Sequence, residues 1–116
     1  MTHVPLHARP ADIEAEILFL STQEGGRSTP TRSGYTAPHD FGIDGMLNDA
    51  MHEYPNRGLA FPGETVRTLL RLLAPEFQIG RLHHGFAFTV REGARVVARG
   101  RVTKLLNRDL ENRAGA

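Results

Sequence analysis

The residue types best equipped for chemistry fall into a few clusters. Two turns, Glu24-Gly-Gly-Arg-Ser-Thr-Pro30 and Arg91-Glu-Gly-Ala-Arg95, combine glycine with arginine. An arginine fork matches phosphate and carboxylate oxygens. A second group, His39, Asp40, Asp44, Asn48, Asp49, His52 and Glu53, is the only His/carboxylate cluster. Such donors suit a divalent metal. Their spacing fits no ligand signature, however, and a polar loop accounts for them, so no metal or other cofactor is expected. His83-His84 lack an identifiable partner for acid–base work. Ser28, Thr29 and Ser33 lie outside any Gly-x-Ser-x-Gly elbow. The expectation is a non-enzyme, with a small metal-dependent or hydrolytic activity in the 35–53 stretch as the enzymatic alternative.

Charge points to an anionic partner. Residues 1–80 hold six arginines against ten acids, net −4, while residues 81–116 hold seven arginines and one lysine against three acids, net +5. Cations gathered at one end suit an anionic surface, although a solvated strand face gives the same count. The preference for arginine over lysine favours phosphate forks, and a GC-rich genome would produce it too. There is no cysteine, which excludes disulfides, thiolate metal sites and a cysteine nucleophile and fits a reducing cytoplasm. No apolar run reaches the roughly 20 residues that span a bilayer, so no membrane association is expected.

The elements that must position these residues are mostly strands. Asp12 to Leu20 alternates, with Ile13, Ala15, Ile17 and Phe19 on one face and Glu14 and Glu16 on the other. Leu18 and Leu20 interrupt the polar face, which implies cover on both sides at that end. Residues 22–34 are turn chemistry. Residues 35–56 fit two short strands or a strand and a loop. Gly58 to Phe61 reads as a short strand stopped by Pro62-Gly63. Glu64 to Leu73 is ambiguous: its pattern favours an amphipathic helix with Val66, Leu69, Leu70 and Leu73 on one side, and a strand is the alternative. Gly85–Arg91 and Arg95–Leu106 read as a hairpin joined by Glu92-Gly93-Ala94. Its second strand sets Val96, Ala98, Gly100 and Val102 against Arg99, Arg101 and Thr103. Residues 1–11 read as a loose leader, 12–107 as the one folded domain and 108–116 as a flexible tail. A single core is feasible at 116 residues.

The order of these pieces resembles the C-terminal, third domain of elongation factor Tu. The likeness is carried by Ile13–Leu20 with Glu24–Pro30, Gly34-Tyr35, Pro62-Gly63-Glu64-Thr65-Val66, and Gly85–Leu106, and it covers about residues 12 to 107. The last block is the most specific, with Gly85, Phe88, Arg91-Glu92-Gly93, Arg95, Val97, Gly100, Val102, Lys104 and Leu106 in family-like positions. The resemblance implies an all-β fold, a small closed antiparallel barrel of about six strands, and therefore a strand at 65–73.

It also implies a class of partner. In the family the two Gly-Arg loops lie near the T-stem of bound aminoacyl-transfer RNA. The matching residues here are Gly26, Arg27, Arg91, Glu92, Gly93 and Arg95. The resemblance thus implies a non-catalytic binding module in the cytoplasm that contacts transfer RNA or another RNA, with a protein partner and no RNA role as the alternative. Retained glycines equally serve the turns alone. Several family parts are missing. There is no Gly-x-x-x-x-Gly-Lys-Ser/Thr loop, so no GTP binding is expected. The family's Thr-rich transfer-RNA segment is replaced by residues 39–53, and Ser28 stands where a histidine is usual. Arg99 and Arg101 replace small or apolar residues; they are read first as solubilising an exposed face and second as extending a basic strip.

Overall fold

The computed structural model describes residues 5–113. Eight strands form: β1 (Ile13–Phe19), β2 (Thr31–Arg32), β3 (Thr36–Asp40), β4 (Asn48–Glu53), β5 (Leu59–Ala60), β6 (Thr65–Leu72), β7 (Ala87–Glu92) and β8 (Arg95–Leu105). Six of them close into an antiparallel barrel in the order β1-β6-β4-β3-β7-β8, while β2 and β5 form a small separate ribbon. The fold is all-β, as the resemblance implied.

Alternation puts one face of each strand inside. Ile13, Ala15, Ile17 and Phe19 of β1 are buried, and Val66, Thr68, Leu70 and Leu72 of β6 meet them. Full burial of each large aliphatic side chain contributes about 1.5–3 kcal/mol. The 64–73 segment is therefore the strand alternative and not the helix its pattern favours. Pairing with β1 on one side and β4 on the other decides it, and Thr68 is tolerated inside because its hydroxyl donates to the Val66 carbonyl at 3.0 Å. Residues 36–53 take the two-strand option, β3 and β4 pairing as neighbours.

Some expectations change. Leu20 is buried, but Leu18 is 40% exposed on the outer face and has no cover. In β8 the register shifts opposite Val90/Arg91, so that Val90 faces Ala98 and Arg91 faces Val96. This bulge buries Val97 beside Ala98 and leaves Val96 at the margin. Gly100 lies under the Phe88 ring, where a Cβ would stand 2.2 Å from the nearest ring atom.

The segments that flank the barrel strands are tied to the barrel. Arg9 donates to the Leu72 carbonyl at 2.7 Å, and its own carbonyl accepts from Arg71 at 2.6 Å. At the other end Leu110 is fully buried and its carbonyl accepts from Leu82 at 2.8 Å. The packed structure therefore continues past residue 107, because Leu110 supplies apolar surface that the polar run around it hides. Residues 1–4 of the expected leader and 114–116 of the expected tail lie outside the described residues. No helix among the described residues is long and apolar enough to cross a membrane.

Candidate nucleic-acid interface

The first Gly-Arg loop is built from local caps. Ser21 and Glu24 form a reciprocal capping box around the short 3-10 turn Thr22–Glu24. Gly25 ends that turn in the left-handed region at φ 95°. Gly26 is required for a different reason: a Cβ there would stand 2.0 Å from the Leu20 carbonyl oxygen. The second loop is a two-residue turn, Gly93-Ala94, because Glu92 still pairs with Arg95 in the ladder. Glu92 therefore belongs to the strand and not to the turn. Gly93 adopts φ 62° and Ala94 a negative φ, the pattern of a type II′ hairpin.

Barrel closure brings the two loops together. Arg27 forms an ion pair with Glu92, and Tyr35 donates to the same Glu92 oxygen at 2.5 Å. The Arg27 guanidinium lies 5.2 Å from the Tyr35 ring centroid, a cation–π distance, and also donates to the Thr29 carbonyl and hydroxyl. Burial alone would raise the Glu92 carboxyl pKa, but the Tyr35 hydroxyl and the Arg27 guanidinium outweigh it and hold it below the usual range. Burial, with Glu92 beside it, pushes the Tyr35 phenol up. Arg27 is thus committed to the fold. Arg91 is partly committed, donating to Asp40 at 3.1 Å. Arg95 is the freest of the three, with its guanidinium 3.9 Å from Glu92 and its side chain 56% exposed.

The sequence cluster around 39–53 disperses. His39 and His52 point into the barrel and are fully buried, whereas Asp40 faces outward toward Arg91. Glu53 pairs with Arg71, Asn48 accepts from the buried Gln78, and Asp44 and Asp49 are exposed. No group of three or more potential metal ligands converges among the described residues. His83 and His84 are exposed.

Inside the barrel His39 and His52 belong to a hydrogen-bonded chain. Its proton order follows from chemistry. The Ala37 carbonyl can only accept, so the His39 Nδ1 2.7 Å away carries the proton. Neutral His39 then accepts at Nε2 from the His52 Nε2–H at 2.9 Å. His52 in turn accepts at Nδ1 from the Tyr54 hydroxyl at 2.9 Å, and Tyr54 accepts from Thr31 at 2.7 Å. Each polar atom of the chain is satisfied with both rings neutral. Burial lowers the His39 pKa to about 4 and holds His52 well below its ordinary value, with His39 adding to the effect. Burial also raises the Tyr54 phenol to about 12. All four of its residues, Thr31, His39, His52 and Tyr54, are buried, and the row forms the polar part of the core. Tyr54 lies two residues after His52, just past the end of β4, and this spacing puts both side chains on one face of the extended chain.

The outer face of β8 is the exposed cationic surface. Arg95, Arg99, Arg101 and Lys104 are all exposed along it. Arg99 makes no hydrogen bond or ion pair in the described fold, and only long-range attraction links it to Glu24. Beside Arg99 and Arg101 runs an open groove of about 600 Å³ across the outer faces of β1, β8 and β7. Searched against protein families, the chain matches no family model.

Proposed function

We propose that the chain is a non-catalytic binding module, a stand-alone relative of the third domain of elongation factor Tu, that engages the phosphate backbone of RNA. The observation that carries this reading is the row of exposed cations along β8, from Arg95 through Arg99 and Arg101 to Lys104. Arginines on one strand edge neutralise successive phosphates without reading bases. The six-stranded closed barrel supports the relationship. Within the reading the loop residues divide their labour. Gly26, Gly93, Arg27 and Glu92 hold the surface in shape; Arg91 and Arg95 border it; Arg99 and Arg101 extend it. The role belongs in the cytoplasm, with transfer RNA the first RNA to test.

Equilibrium binding to transfer RNA across a salt series tests this. Affinity falls steeply with salt, and Arg95→Ala, Arg99→Ala or Arg101→Ala each reduces the salt slope by about 1. Absent or salt-independent binding overturns it. A second reading, a protein-interaction module with no RNA role, draws on the exposed Leu73, Phe77 and Ile79 in and beside the 75–78 turn. A stable, nucleic-acid-free complex after affinity purification decides for that reading.

A further inference from the structure

The groove beside β8 is not what a duplex backbone needs. A duplex offers a convex surface with its bases turned inward, and phosphate contacts to it require only protruding cations. The groove is concave, and Leu18 and Ala87 expose apolar surface along it. Cross-strand pairing aligns its lining in two rows. Thr65, Leu18, Arg99 and Thr89 stand side by side across four strands. Next to them, Glu16, Arg101 and Ala87 form a second row.

We infer that this groove seats an unpaired RNA nucleotide, its base against Leu18 and Ala87 and its flanking phosphates at Arg99 and Arg101. The inference rests on the RNA reading above and names the substrate class. Arg99 and Arg101 are alternate residues on one strand face, so their origins are about 6.8 Å apart, the scale of one step along an extended backbone. Each guanidinium plane can also stack on a base. Glu16 is exposed and has no ion pair among the described residues. A ligand made only of phosphates would be repelled there, whereas the amino and imino N–H groups of a base donate to a carboxylate. Asp40, at the far side, is already matched by Arg91 at 3.1 Å.

The test compares an unstructured RNA of roughly ten nucleotides with a hairpin duplex of matched length, by fluorescence anisotropy on the full chain. The unpaired RNA binds about tenfold more tightly or better, the scale of one base-stacking contact. Ala87→Phe fills the groove without changing charge; it reduces the unpaired RNA to the affinity of the duplex and leaves the duplex unchanged. Arg95→Ala weakens both RNAs alike. Leu18→Ser, also on the exposed face, is the second variant and abolishes the same preference. Circular dichroism confirms that both variants are folded. Equal affinity for the two RNAs, or a preference that survives both groove variants, overturns the inference while leaving the RNA reading in place. Binding of neither RNA removes both. Displacement by a poly-glutamate peptide that outcompetes the unpaired RNA assigns the groove to an acidic protein segment and overturns the inference.

Discussion

His39 and His52 meet Nε2 to Nε2 at 2.9 Å, and neither ring is exposed. Only one proton fits between those nitrogens. Acid therefore acts on this pair through the unfolded chain. Both histidines are neutral in the fold, with pKa values lowered by burial, and the unfolded chain takes up protons below about pH 6.5. The unfolded state then binds more protons, so stability is complete above that pH and falls as the pH drops toward the folded value of about 4 for His39. His39 removes about 2 kcal/mol between pH 7 and pH 5, and His52 acts in the same direction. Urea melts at the two pH values measure this; an unchanged midpoint contradicts the neutral, closed pair.

Tyr54→Phe deletes one hydroxyl and leaves two buried groups, His52 Nδ1 and Thr31 Oγ1, without partners. The expected loss is about 1–3 kcal/mol. Thr31→Val added to Tyr54→Phe costs less than the sum of the two single changes, because the second removes an already orphaned hydroxyl. A double-mutant cycle from denaturant melts reads the coupling.

Adjacent glycines should respond in the opposite order to their backbone angles. Gly25 has the left-handed φ of 95°, but open space surrounds its missing Cβ. Gly25→Ala costs about 1 kcal/mol of backbone strain. Gly26 carries no positive φ, yet its Cβ would lie 2.0 Å from backbone oxygen. Gly26→Ala must displace the chain and costs more than Gly25→Ala. Thermal unfolding of the two variants ranks them.

Stability and binding should separate along the arginines. Arg27→Ala removes the partner of Glu92 and the cation over Tyr35. It lowers stability by about 1–2 kcal/mol and changes the salt slope of RNA binding less than Arg99→Ala does. Arg99→Ala leaves the melting midpoint within about 0.5 kcal/mol of the parent, the usual range for a free surface position. Paired stability and binding measurements on both variants check the assignment.

How much was legible beforehand depended on the range of the interaction. Strand β1 announced itself because Ile13, Ala15, Ile17 and Phe19 alternate within seven residues. The 85–106 hairpin did so too, through local turn chemistry. Residues 65–72 did not, since Leu69 and Leu70 serve a helix face and a strand equally, and only pairing with distant β1 and β4 separates the two. The histidines were visible as residue types, but not the face they take. That face places His52 against His39, on a neighbouring strand, and away from Asp40. The Arg27–Glu92 contact joins positions 65 residues apart, so a turn that reads as a free cation becomes a structural clasp once the barrel closes. The β8 bulge was equally hidden, because Val96 and Val97 are the same residue type and only the register shift says which is buried.

Asp12 accepts from the Leu72 amide at 2.8 Å and from the Asn107 side chain at 3.0 Å, while its carbonyl takes the amides of Leu106 and Asn107. The first and last strands of the barrel therefore begin and finish at one knot. A β-barrel with its two ends side by side is suited to transplantation. It can be spliced into a surface loop of a host protein, or its ends joined and a new opening cut elsewhere, with the closed sheet left whole. The same knot makes Asp12 the residue on which the modularity of this fold turns.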